Sequence, residues 1–138
     1  MEISVNYLSV LVAAIAAMVV GFLWYGPLFG RKWIGYMGWS EAQMAAGKKS
    51  MGGRYFTAFI GTLVMALVLA HFITQIGITP GDTVNAWKLA GWVWLGFFVT
   101  KALGGVLWEG KPLGLFFLNI FHDLAALGVA TTVLVMWK

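Results

Sequence analysis

The chain has 138 residues, room for one domain, and nine Lys and Arg against five Asp and Glu give it a net charge of +4. It is 61% hydrophobic and only 10% charged, against about 25% charged in an average soluble domain, so there are too few charges to coat a globule in water. Cysteine is absent, which excludes a disulfide framework and thiolate chemistry. The basic excess fits positive residues gathered on one side of a membrane better than a nucleic-acid partner.

The first apolar run, Ile3 to Gly30, carries no charge and exceeds the ~20 residues that cross ~30 Å of hydrocarbon as a helix. It does not read as a signal peptide, because its n-region carries Glu2 and no Lys or Arg and the run is too long for an h-region. It is expected to be retained as a span over about 4–25. Further spans are expected at about 55–77, 86–108 and 113–136. Backbone groups in lipid must be satisfied within each segment, so runs this long can only be helices. The fold class is an all-α integral membrane protein of four transmembrane helices in two hairpins, a single domain over 1–138.

The connection 26–54 is the long one. Its "SEAQ" at 40–43 fits a capping box, Ser40 as N-cap and Gln43 reaching back, opening a short helix over 41–46 that ends at Gly47. Arg31, Lys32, Lys48, Lys49 and Arg54 stand in this connection against one acid, Glu41. They are the candidate lipid or partner contacts, with Trp33, Ile34, Tyr36, Met37 and Trp39 as interfacial anchors. The third connection, "WEGKPL", adds Lys111 beside Glu109, whereas the opposite side has Glu2, Asp82, Lys88 and Lys138. The positive-inside rule places the first and third connections in the cytoplasm and both termini outside. The expected location is the bacterial inner (plasma) membrane.

"GFLWYGPLFG" (21–30) and "GVLWEGKPLG" (105–114) share Gly-x-Leu-Trp-x-Gly and then Pro-Leu. Each falls where an odd-numbered span meets the basic side. A parallel internal repeat explains this, and so does convergence on one helix-ending recipe. Stripes of small residues, Ala13/Ala17/Gly21, Ala66/Ala70 and Ala126/Ala130, let helices approach closely, within a chain or between chains. A thin bundle favours a homo-oligomer, a dimer first.

The fourth span contains "LFFLNIFHDLAALG" (115–128), in which Asn119, His122 and Asp123 share one helix face. Asp123 lies about 18 Å past Lys111 at 1.5 Å per residue, near the bilayer middle. A carboxylate there must face inward and find a partner. In a hairpin centred near Gly110, antiparallel numbering sets Lys101 opposite Asn119. A Lys101–Asp123 ion pair with Asn119 and His122 as neighbours is therefore expected. Adjacent side chains on a helix diverge, so His122 and Asp123 are not expected to face each other. His71 is read as a hydrogen-bonded interior histidine, about 10 Å from the depth of His122. No metal-ligand set or cofactor-binding motif is present.

"LWYGPLFGRKW", "LAHF" and "WEGKPLGLFFLN" together resemble a family of small membrane proteins known as domain of unknown function 1761. The resemblance runs over nearly the whole chain. It implies four spans in one small domain and polar residues early in the fourth, and it carries no established activity. Three functions follow from the residues. One is a small-molecule or proton-coupled transporter or binding protein acting through Lys101, Asn119, His122 and Asp123. Another is a structural or accessory protein that binds lipid or a larger complex through the basic, aromatic connection. An enzyme is disfavoured, because no nucleophile or metal set accompanies the His–Asp pair.

Overall fold

The computed structural model describes residues 5–138; Glu2 and the head of the first expected span at Ser4 lie outside the described residues. Every described element is helical. Four helices are long and apolar enough to cross a membrane: Tyr7–Leu28, Met51–Ile76, Thr83–Trp108 and Leu113–Met136, here spans 1 to 4. At 1.5 Å per residue they run roughly 33–39 Å, enough to cross ~30 Å of hydrocarbon with some tilt.

Span 1 comprises α1 (Tyr7–Leu23) and a π-helical turn, Trp24–Leu28. It runs past the stop expected near Trp24–Tyr25. Pro27 has no N–H to donate and its ring crowds the preceding turn. The chain responds by widening rather than ending, with Gly26 at φ −107°, ψ −106° and Phe29 N–H bonded to the Trp24 carbonyl at 2.9 Å. The direction then changes into α2 (Gly30–Met37), which Gly38 ends in the left-handed conformation at φ +66°. Ser40 and Gln43 form the expected capping box, with Gln43 N–H to Ser40 Oγ at 3.1 Å and Ser40 N–H to Gln43 Oε1 at 2.8 Å. The helix they open, α3 (Glu41–Lys49), does not stop at Gly47. Gly47 sits inside it beneath the Arg54 guanidinium. Span 2, α4, begins at Met51 rather than near 55, since Ser50 alone separates it from α3.

Span 2 ends in a Schellman motif: Ile78 N–H returns to Ile73 O at 3.0 Å and Gly77 N–H to Thr74 O at 3.2 Å. Ile73 and Ile78 are both buried there. Asp82 caps span 3, which therefore starts three residues before the expected 86. Its carboxylate accepts from Asn85 N–H at 3.1 Å and from Asn85 Nδ2 at 2.6 Å. Span 3 is α5 (Thr83–Val93), a π turn (Trp94–Val99) and α6 (Thr100–Trp108); span 4 is α7 (Leu113–Met136).

Spans 1, 2 and 4 pack together, and span 3 packs on another side of span 4. The small-residue stripes make this closeness, with Ala13, Ala66 and Ala130 each 0% exposed. They are used within the chain. Span 3 joins through Ala86 and Ala90, while Trp87 lies directly on Gly128, where even a Cβ would collide with the indole. Beyond its π turn span 3 is poorly covered, and α6 buries no residue. The terminal end is stitched by Gly81 N–H to Val135 O at 2.9 Å and Lys138 Nζ to Ile78 O at 2.6 Å. The two repeated stretches share residues but not backbone path. Gly110 ends α6 at φ +67°, whereas its counterpart Gly26 lies inside the π turn.

Candidate functional site

An open cavity of about 570 Å³ lies between spans 3 and 4 toward the basic end. Span 4 supplies Asn119, His122 and Asp123 to it, span 3 supplies Phe97, Phe98 and Lys101, and the chain after span 1 supplies Tyr25 and Trp33. A second opening, about 670 Å³, shares Lys101, Ala102 and Asn119 with the first and reaches Glu109 and Lys111. The two form one cleft running from the His122 level to the end of the hairpin. All four residues expected to cluster thus line it.

Their pairing differs from expectation. Asp123 Oδ1 lies 3.1 Å from His122 Nδ1, and no ion pair within 4.0 Å joins Lys101 to an acid among the described residues. Antiparallel counting put Lys101 at the correct level, since it and Asn119 line both openings. Counting carries no information on rotation, and the π turn at Trp94–Val99 adds a residue to the helical turn and rotates everything after it. His122 and Asp123 do meet, contrary to the expectation for adjacent positions. Nδ1 is the ring nitrogen nearest the backbone and the Asp side chain is short, so the two can lean together across one residue. Both are partly exposed to the cleft, with side chains 19% and 28% accessible.

Trp33, read as an interfacial anchor, belongs to this site together with Trp24 and Tyr25 of the π turn. The Tyr25 hydroxyl donates to Asn119 Oδ1 at 2.6 Å, and its ring lies 4.9 Å from the imidazole of His122. Trp24 Nε1 donates to the Leu118 carbonyl at 3.1 Å. Trp33 packs 5.0 Å from Tyr25 and joins the cleft wall. From the other side, Trp94 Nε1 donates to the Ile120 carbonyl. Indoles of spans 1 and 3 therefore grip span 4 on the residues flanking Asn119. A buried indole N–H needs an acceptor, and the second lone pair of a helical carbonyl supplies one. The signal in the sequence was Trp24–Tyr25 directly before Gly26–Pro27, a place where the helix cannot continue normally. Gly21, on the preceding turn, leaves room for His122, whose Nε2 would lie 3.4 Å from a Cβ there.

The other candidates lie apart. His71 Nδ1 donates to Leu67 O of its own helix at 2.8 Å and does not line the cleft. No group of three His, Asp or Glu among the described residues could hold a metal. Arg31, Lys32, Lys48, Lys49 and Arg54 are all exposed. Tyr36 of α2 rests on Gly114 at the start of span 4.

Four apolar spans with a polar cleft between three of them define a small all-α membrane protein. The chain belongs to the family described as Protein of unknown function (DUF1761), which matches residues 8–135. No curated protein and no solved structure matches it.

Proposed function

We propose that the protein binds and moves a small molecule through the membrane, using the cleft as its site. The observation that carries this reading is the convergence of Lys101, Asn119, His122, Asp123 and Tyr25 on one open cavity. Ionisable side chains inside a span are costly unless they serve a pathway or a partner. The His122–Asp123 contact offers a proton-sharing pair for coupling. The excess of Lys and Arg in the first and third connections supports a cytoplasmic basic end, an inner (plasma) membrane location and both termini outside. The poor burial of span 3 supports a homo-oligomer, a dimer first, that covers it.

Native mass spectrometry of gently extracted protein tests the site beside Asn119→Ala and His122→Ala. A small molecule carried by the wild type and lost in both variants, with helicity intact, is the expected result. A bare wild type, with variants that unfold, would make these residues contacts between helices only.

A second reading rests on the five exposed cations of the first connection, none of them ion-paired among the described residues. In it the connection holds anionic lipid or a larger complex. Lys48→Gln with Lys49→Gln would then weaken association more than any change at Asp123.

A further inference from the structure

Lys101 projects from a membrane span about 10 Å inward of Trp108. It is exposed to the cleft and has no acid within 4.0 Å among the described residues. The carboxylate that shares its cavity, Asp123, is in contact with His122. A cation at this depth calls for an anion, or for a stem long enough to carry it to the surface. The cleft is also open to the side. Phe97, on its wall, is 69% exposed. In a bilayer that opening meets lipid chains rather than water. What enters by it must dissolve in hydrocarbon and carry a negative group.

We infer that the cleft takes an amphipathic anion, with its carboxylate or phosphate on Lys101 and its apolar tail along Phe97 and Phe98. This rests on the proposed binding site and names its ligand class. The wall chemistry matches: an ammonium for the head, with the Asn119 amide beside it in both openings, and phenyl rings for the tail. Lys111 stands at the far end of the same cleft, its ammonium already 3.2 Å from Glu109, so Lys101 is the cation left for the head. Asp123, in contact with His122, disfavours an anion. The charged and titratable groups facing the cleft are therefore Lys101 from span 3, His122 and Asp123 from span 4, Tyr25 from the end of span 1, and the paired Glu109 and Lys111 from the end of the hairpin.

The test is native mass spectrometry of the full chain titrated with dodecanoate, with phosphatidylglycerol, and with phosphatidylcholine as the zwitterionic control. Lys101→Met should weaken dodecanoate about ten-fold or more, as loss of a charged hydrogen bond does. Lys101→Arg should retain binding and Lys88→Met, at the other end, should leave it unchanged. Asp123→Asn should strengthen it, which holds as a check even if Lys101→Met folds poorly. Dodecanoate without phosphatidylglycerol would make the source a free acid, and both together a membrane lipid. Equal binding to Lys101→Met, phosphatidylcholine bound as tightly as phosphatidylglycerol, or weakening by Asp123→Asn overturns the anion. If dodecanoate fails while Asn119→Ala and His122→Ala still lose a neutral or cationic molecule, the ligand class falls and the site stands. If none of these variants alters any bound species, the site falls with it.

Discussion

The hydroxyl of Tyr25, in the π turn that ends span 1, donates to Asn119 Oδ1 of span 4 at 2.6 Å. The bond ties the one irregular segment of span 1 to the most polar face of the bundle. A hydrogen bond between membrane helices contributes about 0.6 kcal/mol on average and at most ~1.7. In a double-mutant cycle of Tyr25→Phe and Asn119→Leu, unfolding in mixed micelles should show a coupling of about 1 kcal/mol. Strict additivity would mean the two groups do not sense each other.

Gly128 and Trp87 make the tightest junction between spans 3 and 4. Gly128→Ala should destabilise the protein by about 1–3 kcal/mol, the usual cost of overpacking. Trp87→Leu in the same chain should recover part of that loss. Unfolding midpoints of the two variants and their combination decide it, and a neutral Gly128→Ala would show that the spans are free to separate.

Gly114 is the seat of Tyr36, and through it of α2. A valine there has no room beneath the phenol ring, so Gly114→Val should lift α2 from span 4 while leaving the spans intact. Limited proteolysis at Gly38–Trp39 should accelerate several-fold relative to wild type. Unchanged cleavage would place the hold on α2 elsewhere, at Trp33 and Tyr25.

Asp82 has its carboxyl held below the ordinary 3.8 by the side-chain and then the backbone hydrogen bonds of Asn85. A carboxylate whose folded value is depressed stabilises the fold above its unfolded value, and that contribution is lost as pH falls through the folded value. The stability gap between wild type and Asp82→Ala should therefore be constant from pH 7 to about 5 and close as the pH drops below 3.8. A gap independent of pH would mean that the cap bonds do not depend on the charge of Asp82.

Membrane character and the existence of four spans were legible from residue content alone, because a helix in hydrocarbon must be long, apolar and self-satisfied. The Ser40–Gln43 box was legible for a related reason: its partners are three residues apart and need no other element. The antiparallel hairpin even brought Lys101 to the level of Asn119, since a short connection fixes depth. Rotation about the helix axis was not legible. It depends on the π turns at Trp24–Leu28 and Trp94–Val99, which arise where Pro27 and packing against span 4 outweigh regular hydrogen bonding. Those turns aim Tyr25 at Asn119, Trp94 at the Ile120 carbonyl and Lys101 into a cleft where no acid lies within 4.0 Å of it among the described residues. Chain order and hydropathy thus determined which residues lie at one depth. Only the tertiary structure decided which of them touch, because contact depends on helix phase, and a single π turn resets that phase for everything beyond it.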